Sequence, residues 1–234
     1  MIEASLSYLR NGDDALVTTL IGGVLLLASP LLIPAFAVLG YVVRVLRRTA
    51  AGDDEPPAFD AWGDLLVDGL KAFAVTFAYS LLPLAVLVAA AVVGVGSAVA
   101  GGGDGGLLGG LAALSVALVA LAASLAGLYV TPAAIAAVAD SGRVRDGFAA
   151  RALWAVVAGR TYARGWLAAA VVVLAGVLVT GLLSIVPILG TVAGFVVQFY
   201  ALVAAAAIVG RTLADVRLVA TGAGRPEPAE RPAA

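Results

Sequence analysis

The chain has 234 residues, 62% of them hydrophobic and 12% charged, against roughly 45–50% apolar residues in a soluble domain even with glycine counted. It holds no cysteine and no histidine, which excludes disulfides, thiolate chemistry and the commonest metal ligand and proton shuttle. A formal net charge of −1 offers no electrostatic basis for binding nucleic acid.

In chain order, the first apolar run covers residues 15–48 and carries Pro30 and Pro34 before Arg44, Arg47 and Arg48. Two readings of it stand. As one straight helix its 34 positions would measure about 51 Å against a hydrocarbon core of about 30 Å, a tilted rod kinked at the prolines. As a hairpin it would cross twice, with spans at about 15–29 and 34–48 and a turn over residues 29–34. Proline suits such a turn, because an incoming helix stops there and a new one starts. Internal similarity favours the hairpin: an offset of 154 residues lays Tyr8 on Tyr162, Arg10 on Arg164, Gly22 on Gly176 and Gly40 on Gly194, with Pro34 near Pro187. Asp13 and Asp14 stand where the basic region of a cleaved signal would lie, which argues against one.

The stretch "AFDAWGDLLVDGLKAF" has Asp60 as a candidate N-cap and Trp62, Leu65, Leu66, Gly69, Leu70 and Phe73 at helical spacing, predicting an amphipathic interfacial helix over about 60–71. Long uncharged runs follow, predicting spans at about 72–100 and 107–139. The link "GGGDGG" at 101–106 lacks the Lys, Ser or Thr of a phosphate loop and reads as a flexible turn. A second amphipathic segment is expected at about 146–160, from Phe148, Ala152, Ala155, Val156 and Gly159. The final apolar run, divided by Pro187, predicts spans at about 166–184 and 189–212. The Pro, Ala and charge content of 217–234 reads as a disordered tail, leaving 1–216 as one membrane domain.

Cations orient the chain. No Lys or Arg occurs between Ala72 and Gly142, whereas Arg44, Arg47, Arg48 and Lys71 precede that region and Arg143, Arg145, Arg151, Arg160 and Arg164 follow it. By the positive-inside rule both flanks face the cytoplasm and Asp104 lies outside. With Arg211 and Arg217 beyond the last span, both termini are expected in the cytoplasm. The fold class is therefore an all-α, polytopic helix bundle of about six membrane helices, five if the first run is one kinked helix, in the cell membrane.

The one lysine among 14 cations and the excess of Asp over Glu resemble proteins of salt-loving archaea. The runs "LIGGVLLLASPLLIPAFAVLGYVVRVLRR" and "GDDEPPAFDAWGDLLVDGLKA", followed by "YVTPAAIAAVADSGRVRDGF" and "YARGW", resemble the archaeal membrane family catalogued as domain of unknown function 4013. The resemblance runs from Met1 to about Arg217 and implies a polytopic membrane protein with no assigned activity, ligand or catalytic residue.

Candidate sites are few. Ser and Thr occur in the spans, but no histidine can activate them, so no catalytic, cofactor-binding or metal-binding residue is expected and the chain does not read as an enzyme. Gln198, with Thr76 and Tyr79, is the candidate intramembrane polar contact, since an amide inside a span is retained for helix contacts or a path. Trp62, Trp154, Tyr162 and Trp166 are candidate interface anchors. The expected function is a non-enzymatic membrane scaffold or adaptor that meets the lipid bilayer and a protein partner on the cytoplasmic side. The alternative is an oligomeric pore or carrier for a small neutral or lipid-like molecule, built as a homo-oligomer.

Overall fold

A computed structural model describes residues 5, 7–11, 14–100 and 105–221. Among them there are helices and turns and no strand, as the composition predicts. The helices are α1 (Ala15–Leu27), α2 (Ile33–Ala50), α3 (Trp62–Ala100), α4 (Gly105–Ser141), α5 (Ala150–Val157), α6 (Arg160–Leu183) and α7 (Leu189–Thr221). Short 3-10 turns lie at Tyr8–Asn11, Ser29–Leu31 and Val144–Phe148. Parts of α3, α4, α6 and α7 are long and apolar enough to cross a membrane: Trp62–Ala89, Gly110–Ser141, Arg160–Leu183 and Leu189–Arg217. Helix α1 is apolar but only 13 residues long.

The first apolar run is two helices. Pro30 lies in the 3-10 turn between them, and Pro34 is the second residue of α2, where its missing N–H breaks no helical bond. The break ends at Leu32, whose φ of 65° is left-handed. The break before α7 ends in the same way at Ile188, with φ 61°. Each carbonyl then accepts the first bond of the new helix, from Phe36 N–H at 3.0 Å and from Val192 N–H at 2.9 Å. Ala61, at φ 43°, does this ahead of α3 with Leu65 N–H at 3.0 Å, so Ala61 and not Asp60 holds the capping position. A residue with a Cβ in this region carries strain of about 1–3 kcal/mol.

Glycine closes two helices. Gly52, at φ 83°, follows α2 in a Schellman motif, with Gly52 N–H on the Thr49 carbonyl at 3.2 Å and Asp53 N–H on the Arg48 carbonyl at 3.0 Å. Gly142, at φ 71°, follows α4 and donates to the Val138 carbonyl at 2.8 Å.

Several boundaries differ from those the local pattern suggests. Residues 62–71 are the first turns of α3 and not a separate interfacial helix, because no residue that stops a helix intervenes before Ala100; Pro83 is accommodated inside. Their buried face is Leu65, Gly69, Ala72 and Val75, while Trp62 and Leu70 are exposed. Segment 146–160 is not one helix: Ala149 and Gly159 leave helical geometry, separating the 3-10 turn, α5 and α6. Its buried residues are Gly147, Leu153 and Val157, rather than the stripe through Phe148 and Ala155. Helix α7 continues to Thr221, past the expected start of the tail; residues 222–234, and 101–104 of the glycine-rich link, lie outside the described residues.

The chain divides into two compact units. The first contains Met1–Leu27, Arg44–Ala58 and Trp154–Ala234, and α7 is its centre. Of α7's most apolar stretch 56% is buried, against 6–11% for the other three long helices, so α7 is enclosed by protein while the others present most of their surface outward. Both α1 and α6 pack on it through glycine. A Cβ on Gly22 would overlap the Phe199 ring, and one on Gly176 would stand 2.6 Å from the Ala201 Cβ. These two glycines are equivalent in the internal repeat, and they seat on the same turn of α7. Tyr8 and Tyr162, equivalent likewise, are both fully buried.

The second unit contains Ala28–Val43 and Phe59–Leu153. Within it α2 crosses α3 at Gly40 and Gly69, and the 3-10 turn Val144–Phe148 packs on α3 and α4, Gly147 fitting beside Val138, Val75 and Ala134. Phe36 and Phe73 meet edge to face at 5.3 Å, and Tyr41 stacks on Phe59 at 4.4 Å, geometries that aromatic quadrupoles favour.

Candidate functional site

An apolar helix in hydrocarbon must satisfy every polar group internally, so the hydroxyls of the long helices show how the bundle treats polarity. Most turn back onto their own backbone. Thr76 donates to the Ala72 carbonyl at 2.9 Å, Ser115 to Leu111 at 2.8 Å, Ser124 to Ala120 at 2.8 Å, Thr131 to Gly127 at 2.7 Å and Thr212 to Ile208 at 2.7 Å. Each spans four residues, the i to i−4 pattern of Ser and Thr in helices. Other hydroxyls join elements: Thr180 of α6 donates to the Gly194 carbonyl of α7 at 2.8 Å, and Tyr79 of α3 to the Gly147 carbonyl at 3.0 Å.

Gln198 lies on α7 facing α6. Its Oε1 is buried over Gly176, where a Cβ would stand 2.9 Å away, and accepts no hydrogen bond. Only glycine at position 176 leaves room for this amide. Thr76 and Tyr79, grouped with Gln198 on sequence grounds, belong to the second unit while Gln198 belongs to the first. Thr76 serves its own helix, and Tyr79 also stacks on Phe148 at 5.6 Å. The four expected anchors separate as well. Trp154 is 70% exposed and Trp62 46%, Trp166 is half-buried, and Tyr162 lies wholly in the core. Tyr162 is therefore a packing residue, its ring enclosed at the start of α6 and withheld from any headgroup layer.

The densest polar arrangement is one that sequence patterns did not single out. At the C-terminal part of α7, Arg211 donates to Asp54 Oδ1 through Nη2 at 2.7 Å and Nε at 3.2 Å, donates to the Ser5 hydroxyl, and lies over the Tyr8 ring at 5.6 Å. Tyr8 donates from its phenol to the Glu55 carbonyl at 2.9 Å, and Arg48 reaches the same carbonyl at 3.1 Å. Burial, with Asp53 adding to it, pushes the Tyr8 phenol far above its ordinary range, so it stays a neutral donor. Four stretches of chain are thus tied at one junction: residue 5, the turn Tyr8–Asn11, the link after α2, and α7. The signals were present as "GDDE" and the matched tyrosines, but nothing local pairs residues 157 positions apart.

Among the described residues no three acidic side chains gather to hold a metal ion, and the polar contacts join backbone to side chain across helices. Among the described residues the architecture is all-helical, with four helices long and apolar enough to span a membrane. The chain belongs to the family described as protein of unknown function (DUF4013), which matches residues 23–186. The match is shorter at both ends than the near full-length resemblance seen in the sequence, stopping before α7. No curated protein and no solved structure matches the chain.

Proposed function

We propose that the chain is a multi-pass protein of the cell membrane that acts as a non-enzymatic scaffold or adaptor. In this reading α1 and α2 form a short hairpin, the bundle has six membrane helices, and both termini with the arginine-rich segments face the cytoplasm. The single lysine and the excess of Asp over Glu support an origin in a salt-loving archaeon. The observation that carries the scaffold reading is the treatment of hydroxyls: they close onto their own helix or tie one element to the next, and a path for solutes would need them turned toward a lumen. Outward-facing Trp62 and Trp154 suit the level where a bilayer meets water.

A second reading, an oligomeric pore or carrier for a small neutral or lipid-like molecule, is supported by the buried, unbonded Oε1 of Gln198. A liposome flux assay with a panel of small solutes, run beside crosslinking of membranes that hold the intact protein, separates the two. The scaffold reading expects no flux and a defined crosslinked partner. Flux through the wild-type protein that Gln198→Leu abolishes without lowering its thermal stability would replace it by the carrier.

A further inference from the structure

Within the first unit, α6 has two opposite faces. Tyr162, Gly165, Ala169 and Gly176 are buried, and the two glycines fit against Thr212 and Ala201 of α7. On the other side Leu167, Val171, Leu174, Leu178 and Leu182 are all exposed, stepping by three and four as one face of a helix does. From Leu167 to Leu182 this stripe is about 22 Å long at 1.5 Å per residue, and exposed Ile185 and Val186 continue it, so it fills most of a hydrocarbon core of about 30 Å. The same line runs on toward the N-terminus of α6 through Arg164 and Arg160, both exposed. They stand about 5 and 10 Å beyond Leu167 along the axis, at the edge of the core and within the headgroup layer, which adds roughly 5–8 Å on each side. Two guanidiniums four residues apart are thus set at headgroup depth on the meridian that faces lipid. Trp154, also exposed, precedes them in the chain and suits the same level.

We propose that the outer face of α6 selects anionic phospholipids, Arg160 and Arg164 holding the headgroup while Leu167 and Val171 lie along its acyl chains. The argument is charge complementarity at a fixed depth. A phosphate diester accepts charge-assisted hydrogen bonds from guanidinium. A zwitterionic headgroup carries the same phosphate but brings a cation of its own, which two adjacent arginines repel, whereas an anionic one leaves its negative charge to them. The inference rests on the membrane reading above and adds to it the kind of lipid at this face.

Native mass spectrometry of the full chain, released from nanodiscs of equimolar phosphatidylglycerol and phosphatidylcholine, tests it. Phosphatidylglycerol should be retained over phosphatidylcholine by about tenfold, within the range that two arginines at a charged surface supply. The preference should fall toward parity in Arg160→Gln/Arg164→Gln. It should persist in Arg160→Lys/Arg164→Lys, which keeps both charges, and in Arg145→Gln, which removes an exposed arginine of the second unit. Equal retention of the two lipids by the wild-type protein, a preference unchanged in the double glutamine variant, or an equal loss in Arg145→Gln overturns the proposal. The variants alter exposed side chains only, and the lysine variant reports any loss that comes from folding and not from charge. Alkaline extraction of the wild-type protein separates the two levels: release from membranes overturns the membrane reading and this surface with it, whereas firm retention with no lipid preference overturns the surface alone.

Discussion

Gly40 of α2 and Gly69 of α3 face each other so closely that a Cβ on either would overlap a backbone carbonyl oxygen of the opposite helix, Leu65 for the first and Phe36 for the second. The contact is reciprocal: each glycine's missing side chain is the space occupied by its partner helix. Small residues at a crossing let backbones approach in this way, and dispersion across the contact takes the place of a hydrophobic driving force when the surroundings are lipid.

Substituting either glycine by alanine should therefore destabilise the protein by about 1–3 kcal/mol, the range for overpacking, because a backbone carbonyl cannot swing aside. The double variant should lose less than the sum, since both substitutions open the same crossing. Gly63→Ala is the internal control, being in the same helix with nothing within 4 Å of its would-be Cβ; it should be neutral or raise stability by up to about 1 kcal/mol. Thermal unfolding in detergent reads all four. Equal behaviour of Gly40→Ala and Gly63→Ala would show that α2 and α3 do not cross here.

At the Arg211 junction the two partners are unequal. The Arg211 side chain is 15% exposed and that of Asp54 68%, so Asp54→Asn should remove only about 0.2–1 kcal/mol, as for other solvated ion pairs. Arg211→Met should remove more, because it also leaves Ser5 without its donor and Tyr8 without the cation over its ring. Rising salt should weaken the wild-type protein toward Asp54→Asn while leaving that variant nearly unchanged. A salt response identical in the two proteins would remove the ion pair from the account.

Asp146 gives a pH dependence. Arg143 donates to its Oδ2 through Nη2 at 2.9 Å and Nε at 3.0 Å, and this hydrogen bonding, with a smaller part from Ser141, holds the carboxyl below its ordinary range. A carboxylate whose native pKa is depressed stabilises the fold above the unfolded value near about 4 and loses that contribution as pH falls through the lower native value. Acidification should thus loosen the turn Val144–Phe148, read as faster amide exchange there, over a window starting near about pH 4 and extending downward. Asp146→Asn should show the loosened turn at every pH. Exchange that is unaltered by this variant would contradict the assignment.

The natural absence of cysteine allows topology to be read with single cysteines and an impermeant thiol reagent in intact cells. The cation gap between Ala72 and Gly142 leads us to expect labelling at position 104 alone among 4, 104 and 151. External labelling at position 4 would make α1 and α2 one crossing, and labelling at 151 would invert the whole protein.

How far the chain could be read in advance varies by element. Its apolar runs fix an all-helical protein, because only a helix satisfies its backbone over twenty residues without partners. The prolines at 30, 34 and 187 lie at the two helix breaks, before Ile33 and before Leu189, since the penalty of proline in a helix interior is local. The repeat identified Tyr8, Tyr162, Gly22 and Gly176 as positions that matter. Of the stripe expected over residues 62–71, Leu65 and Gly69 are buried while Trp62 and Leu70 are not, and Tyr162, expected as an aromatic anchor, lies in the core, because spacing gives a face but not the neighbour that covers it. Which helix lies at the centre, that Gln198 rests on Gly176, and that Arg211 gathers Ser5, Tyr8 and Asp54 were decided only by tertiary structure. Those choices depend on shape complementarity and on charges far apart in the chain, and neither leaves a mark in the spacing of neighbouring residues.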